Sequence, residues 1–157
     1  MKRVPIGGII VEPDLHYVRI FNLPDEPDWG GMALEEFCFY GMSVNFISEN
    51  NDSQGHANMG ITLRVHEAEM LSKAIAAVEK LHDEVTTEVE YPVCLITVYG
   101  PHFKERCGLA ATAFRALGIH GINILGISTS ISSISAAIHQ ADLEDAKAAL
   151  EDVFEVP

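Results

Sequence analysis

The sequence predicts an α+β fold made of two β-α-β-β-α-β units, and three observations lead there. The layout of residues 108–130, GLAATAFRALGIHGINILGISTS, recurs 80 residues earlier. Leu34, Phe37, Gly41, Ser43, Val44, Ile47 and Ser48 match Phe114, Leu117, Gly121, Asn123, Ile124, Ile127 and Ser128. Self-similarity at a fixed offset marks a duplicated structural unit. The apolar patterning also switches between strand and helix periods in the order of a split βαβ, or ferredoxin-like, unit, in which an antiparallel sheet carries two helices on one face. Finally, the second unit ends one strand short, while an orphan strand precedes the first. Placing that N-terminal strand in the second unit's sheet covers an edge that would otherwise be open.

The elements follow in chain order. Residues 6–11 (IGGIIV) read as a strand ended by a turn at Glu12-Pro13-Asp14. Residues 17–23 form a second strand, and Pro24-Asp25-Glu26-Pro27-Asp28 a rigid loop. Asp28 is placed to cap a helix over 29–40. A strand at 43–48 leads into ENNDSQGHAN (49–58), polar and glycine-containing, hence a loop or hairpin connection. Met59, Ile61, Leu63 and Val65 alternate with Gly60, Thr62 and Arg64, which predicts a strand buried on one face. Leu71, Ala74, Ile75, Val78 and Leu81 define a second helix, and Val85 and Val89 a closing strand before Pro92. The pattern then restarts with a strand at 93–99, the helix and strand of 108–130, a strand at 131–138 and a helix capped by Asp142 that carries Leu143, Ala146, Leu150 and Val153. The domain boundaries expected are 15–90 for the first unit and 91–157 for the second, with 1–14 belonging to the second.

Composition narrows the function classes. The 157 residues carry 48% hydrophobic and 21% charged side chains, a globular balance. A formal charge of −13, with no Lys/Arg cluster, repels phosphate backbones and argues against a nucleic-acid partner. Cys38, Cys94 and Cys107 lie far apart without metal or disulfide spacing, which suits a reducing, cytoplasmic setting. No apolar run reaches the length of a membrane span, and no secretory h-region opens the chain, so no membrane partner is expected.

With these residues in view, the chain resembles the tandem ACT-domain regulatory region of aspartokinases over nearly its whole length. GINILGISTS at 121–130 is similar to the family pattern G-I-N-I-x-x-I-S-T-S. Gly108, Phe114, Leu117 and Gly121 keep the family's helix spacing, and Gly41-Met42-Ser43-Val44 resembles the corresponding strand start in the first half. The orphan N-terminal strand also has its counterpart there. Asp25-Glu26-Pro27-Asp28 stands where the family usually has Asp-Lys-Pro-Gly, and Glu49 where it has glutamine. Both departures put negative charge beside the expected effector pocket. In the second half the Pro-Gly pair is Cys107-Gly108. The family's Lys-Phe-Gly-Gly start is missing and there is no room for a nucleotide-binding domain, so no kinase activity is expected of this chain.

The resemblance implies an amino-acid effector at an interface formed by the 25–30 loop and the strand start at Asn123 and Ile124. The candidate ligand-binding residues are Asp25, Glu26, Pro27, Asp28, Gly30, Glu49, Asn123 and Ile124. Backbone N–H groups at a helix start favour a carboxylate, and side-chain oxygens take an ammonium. Each residue also has a plain structural role open to it: turn chemistry for Asp25, a cap for Asp28, a solvated acid for Glu49, and a bond to its own turn for Asn123. Ser128, Thr129 and Ser130 lack an identifiable His–acid partner, so no catalytic residue is assigned. The seven histidines share no ligand-like spacing, so neither a metal nor a cofactor is expected. Cys107, at a helix start, is open to a lowered pKa.

Three functional classes compete. The leading one is a free-standing regulatory protein that binds an amino acid. The alternative is a regulatory subunit of an aspartokinase acting with a separate catalytic chain, and an independent enzyme ranks last. A homodimer with ACT units side by side or face to face is also expected, because Val93-Cys94-Leu95-Ile96 is apolar on both faces and calls for cover on both.

Overall fold

A computed structural model describes residues 2–101 and 103–157; Met1 and His102, one of the seven histidines, lie outside the described residues. The chain divides into two compact units. One comprises Leu15–Tyr91, and the other joins the segment up to Asp14 with Pro92–Pro157. Strands β1 (Val4–Pro5) and β2 (Gly8–Pro24) are followed by α1 (Trp29–Phe39), β3 (Ser43–Asn51), β4 (His56–Arg64), α2 (Ala68–Glu79) and β5 (Thr86–Tyr99). Then come α3 (Leu109–Ile119), β6 (Ile124–Thr129), β7 (Ser133–His139), a 3-10 turn at Gln140–Asp142, α4 (Leu143–Val153) and β8 (Phe154–Glu155).

In the first unit the sheet order is β3-β4-β2-β5. Its core gathers Val18, Ile20 and Leu23 of β2, Ala33 and Phe37 of α1, Ile61 and Leu63 of β4, and Ala74 and Val78 of α2, all fully buried. Burying each large side chain contributes roughly 1.5–3 kcal/mol. That packing holds α1 in place although Gly30 and Gly31 weaken its first turn. Arg19 reaches across to Glu88 at 3.1 Å and Glu90 at 2.9 Å, and Tyr91 stacks on His16 with ring centroids 4.1 Å apart. In the second unit the order is β2-β5-β7-β6, with β1 and β8 forming a separate parallel pair. Its core is built from Cys94, Ile96, Leu117, Ile138, Ala146, Leu150 and Phe154. The N-terminal part of β2, up to Asp14, therefore completes the second unit's sheet beside β5, and the architecture is two ferredoxin-like units.

The repeat holds residue for residue. Helices α1 and α3 keep the 80-residue offset at both ends. Gly41 and Gly121 both take left-handed backbone, at φ 80° and 73°. Each following strand carries an irregularity at the same place, between Val44 and Phe46 and between Ile124 and Gly126.

Five expectations are corrected. Glu12-Pro13-Asp14 is not a chain-reversing turn, because β2 runs through it as one 17-residue strand. Asp14 makes a local kink instead, at φ 59°, where its N–H donates to Gln140 Oε1 (2.7 Å) and its Oδ1 accepts from Gln140 Nε2 (2.9 Å). The strands expected on either side of Pro92 are likewise one strand, β5. Neither Asp28 nor Asp142 caps its helix through the side chain. Asp142 ends a 3-10 turn that runs straight into α4, so no open first turn awaits its carboxylate. Strand β4 is buried on both faces from Met59 to Leu63, since Tyr17 lies over Gly60 so closely that a Cβ there would collide with the Tyr17 hydroxyl. Finally, Val93, Cys94, Leu95 and Ile96 are all buried within the chain itself, so this strand does not call for a partner.

Candidate ligand site

The loop from Asp25 to Asp28 is exposed and delivers the chain from β2 into α1. It is tied down at its start, where the Asp25 N–H donates to Gly55 O (3.1 Å) and Asp25 Oδ1 accepts from Asn51 Nδ2 (2.7 Å). Asp28 takes the N-cap position in left-handed backbone, φ 79° and ψ −20°. Its repeat counterpart is Gly108, at φ 85° and ψ 0°. Both carbonyls accept from the fourth residue on, Met32 N and Thr112 N, each at 2.9 Å. Aspartate thus fills a position whose backbone favours glycine.

With no side-chain cap, the first turn of α1 keeps its amide donors and its positive dipole end. Two carboxylates approach that turn. Glu49 Oε2 of β3 sits 3.0 Å from where a Cβ on Gly30 would stand, and Met59 Cε lies 3.2 Å from the same point. Asp28 Oδ1 lies 3.4 Å from the corresponding point on Gly31. Gly30 therefore leaves the space that the Glu49 carboxylate occupies. Pro27 and Glu26 shape the exposed loop ahead of this turn. At the matching positions of the second unit stand Gly108, Ala110, Ala111 and Thr129, so neither Asp28 nor Glu49 has an acidic counterpart there.

The second unit holds the remaining two candidates. Asn123 is exposed between Gly121 and β6, and its carboxamide makes no hydrogen bond among the described residues, so it does not bond its own turn. Ile124 opens β6 and packs partly against that unit's core. The structure thus brings Asp25, Glu26, Pro27, Asp28, Gly30 and Glu49 around one helix start and sets Asn123 and Ile124 at a strand start of the other unit.

Sequence reasoning missed the network beneath the loop. Asp52 Oδ1 accepts from the N–H groups of Gln54 (2.7 Å) and His56 (3.1 Å), and its Oδ2 from Asn58 Nδ2 (3.2 Å). The Gln54 N–H, followed by the Asn58 amide, holds the Asp52 carboxyl below the usual carboxylate range. His56 Nε2 in turn meets Glu84 at 2.9 Å. The signal was Asp52 two residues before Gln54, an Asx-turn spacing in a polar run. Among the described residues, no three His, Cys, Asp or Glu side chains are grouped to hold a metal, and no helix is long and apolar enough to cross a membrane.

A family model for the ACT domain matches residues 96–154. The regulatory subunit of aspartate kinase from Thermus flavus superposes with a TM-score of 0.81 at 21% identity, over 96% of this chain and 99% of that one. The fold is that of the ACT regulatory region of aspartokinases. Escherichia coli aspartokinase III in complex with lysine and aspartate superposes over 97% of this chain and 34% of its own length, with a TM-score of 0.72 at 16% identity. Among sequence relatives, the aspartokinase of Helicobacter pylori is 25% identical over 159 residues. That match takes in 99% of this chain but 38% of the relative, so the chain spans little more than a third of the aspartokinases it resembles. The left-handed residue before α1, the glycine after it and the irregularity in β3 all recur in the half that the family model matches.

Proposed function

We propose that this chain is a non-catalytic ACT-domain regulatory protein that binds an amino acid and works as a homodimer in the cytoplasm. Residues 15–90 act as the first ACT unit, and 91–157 with 1–14 as the second. The observation that carries the reading is the start of α1, where a helix dipole and first-turn amides without a side-chain cap meet two acidic side chains, the Glu49 carboxylate filling the space that Gly30 leaves. A free amino acid presents complementary groups, a carboxylate for amides and an ammonium for carboxylates. In the first unit Asp28 and Glu49 supply the acceptors, with Asp25, Glu26, Pro27 and Gly30 shaping the loop. In the second, Asn123 offers a carboxamide that both donates and accepts, and Ile124 an apolar contact. The carboxylates of Asp28 and Glu49 repel a second anion at α1. The effector is therefore a basic or neutral amino acid rather than an acidic one.

A second reading, a regulatory subunit acting with a separate catalytic kinase chain, is favoured by the Thermus flavus neighbour, which is itself named a regulatory subunit. Co-purification of a kinase chain from the native source separates the two readings. A thermal-shift screen against the common amino acids tests both, since a ligand at 100 times its dissociation constant adds about 2.7 kcal/mol. No shift with any amino acid at millimolar concentration overturns the binding reading.

A further inference from the structure

We propose that the first unit holds a second small-molecule site, between the end of α1 and the start of α2. Its ligand is a small apolar amine, with the ammonium on Glu67 and the apolar body against Met42 and Met70.

A cavity of about 200 Å³ lies there, lined by Tyr40, Gly41, Met42, His66, Glu67 and Met70. At about 30 Å³ for each water of the liquid, it has room for roughly six or seven waters or one compact organic molecule. Two short connections build it. Gly41, in left-handed backbone at φ 80°, turns the chain out of α1, so that Met42 is buried and Tyr40 half-buried. On the other side His66 and Glu67 lead from β4 into α2, and Met70 follows in the first turn of that helix.

The lining pairs two thioethers with a few convergent polar groups, the mixture that a ligand pocket uses. The Tyr40 hydroxyl, the His66 ring and the Glu67 carboxylate have neither an ion pair nor a hydrogen bond among the described residues. Glu67 uses only its main-chain carbonyl, which accepts from the N–H groups of Met70 (3.1 Å) and Leu71 (3.4 Å), and its side chain does not cap α2.

Charge selects the ligand. Glu67 brings the lining's carboxylate, and no lysine or arginine lines the cavity. Lys73, one turn further along α2, is held by Glu69 at 3.1 Å. The cavity therefore attracts a cation and repels an anion. Tyr40 supplies a ring to which an ammonium is drawn, and the two polarizable thioethers suit an aliphatic body. The second unit does not repeat this set. His120 and Ile122 stand for Tyr40 and Met42, and His120 Nδ1 already meets Ala116 O at 2.9 Å. Met70 and Asp145 are each the third residue of their helix, so an acid replaces the second thioether.

Methionine methyl groups report the site directly. In protein labelled with carbon-13 at those methyls, 3-methylbutylamine is titrated beside 4-methylpentanoate and 3-methylbutan-1-ol, which keep the apolar body and change the charge. The amine should shift the Met42 and Met70 methyls together, with the anion and the alcohol at least tenfold weaker. Glu67→Gln should weaken the amine about tenfold and leave the alcohol unchanged. Met59 is the control, because its Cε faces Gly30 at the start of α1. A shift confined to Met59 places the amine at the α1 start and overturns the proposal. So do unmoved Met42 and Met70 methyls at millimolar amine, equal binding of the alcohol or the anion, or unchanged amine affinity in Glu67→Gln. None of these results touches the amino-acid reading, which rests on Glu49 and the start of α1.

Discussion

Glycine and alanine exchanged at the two helix starts measure what the left-handed backbone costs. Asp28 and Gly108 share this conformation, at φ 79° and 85°. An L side chain there costs about 1–2 kcal/mol. Alanine recovers about 0.4–1 kcal/mol of that by restricting the unfolded chain. No steric term enters at Gly108, where an added Cβ meets nothing within 4 Å. The balance leaves Gly108→Ala destabilised by about 1 kcal/mol, or roughly 2–4 °C for a chain of this size. Asp28→Ala should fall below Asp28→Gly by the same amount, because neither variant carries a charge and the dipole contribution cancels. Urea unfolding at unchanged m-value gives both differences. If Gly108→Ala keeps its midpoint, or Asp28→Ala equals Asp28→Gly, the two positions are not equivalent and the shared helix-start geometry is wrong.

Two other outcomes are expected. Burial, with a contribution from Asp142, pushes the Cys94 thiol up to about 11, while Cys38 and Cys107 are exposed; a disulfide reagent near neutral pH should react quickly with two thiols and reach the third only on unfolding, and three fast thiols would contradict this. Asp52 is held below its ordinary 3.8, so the order it lends the β3–β4 turn is complete above about pH 4 and fades as pH falls through the lowered value; the Gln54 amide shift should titrate with a midpoint below 3.8, and a midpoint at or above it would refute the bond.

The parts of the fold legible in the sequence were those set by local periodicity and by the repeat. Helix α1 could be read from Leu34 and Phe37, which recur as Phe114 and Leu117 in α3. The parts missed depended on distant partners. Glu12-Pro13-Asp14 reads as a turn in any local window, and only Gln140, 126 residues away, turns it into a kink within a strand. The strand break at Pro92 failed for the same reason, because β2 continues alongside β5 and supplies its partner. Asp28 reads as an N-cap by residue type, and its left-handed backbone was visible only through its alignment with Gly108. At the candidate site, the resemblance to the family picked out the loop and Glu49. The 3.0 Å approach of that carboxylate to Gly30 depends on the β3–α1 packing, which no local pattern reveals.

In the proposed function, the acidic start of α1 receives the cationic group of an amino acid. Calorimetry of the native protein with the best amino acid from the screen, repeated on Glu49→Gln, tests it most directly. Loss of a charge-assisted bond of about 1.5–3 kcal/mol predicts affinity weakened about tenfold or more in Glu49→Gln. An acidic amino acid bound more tightly than a basic one, or affinity unchanged or improved in Glu49→Gln, would contradict it.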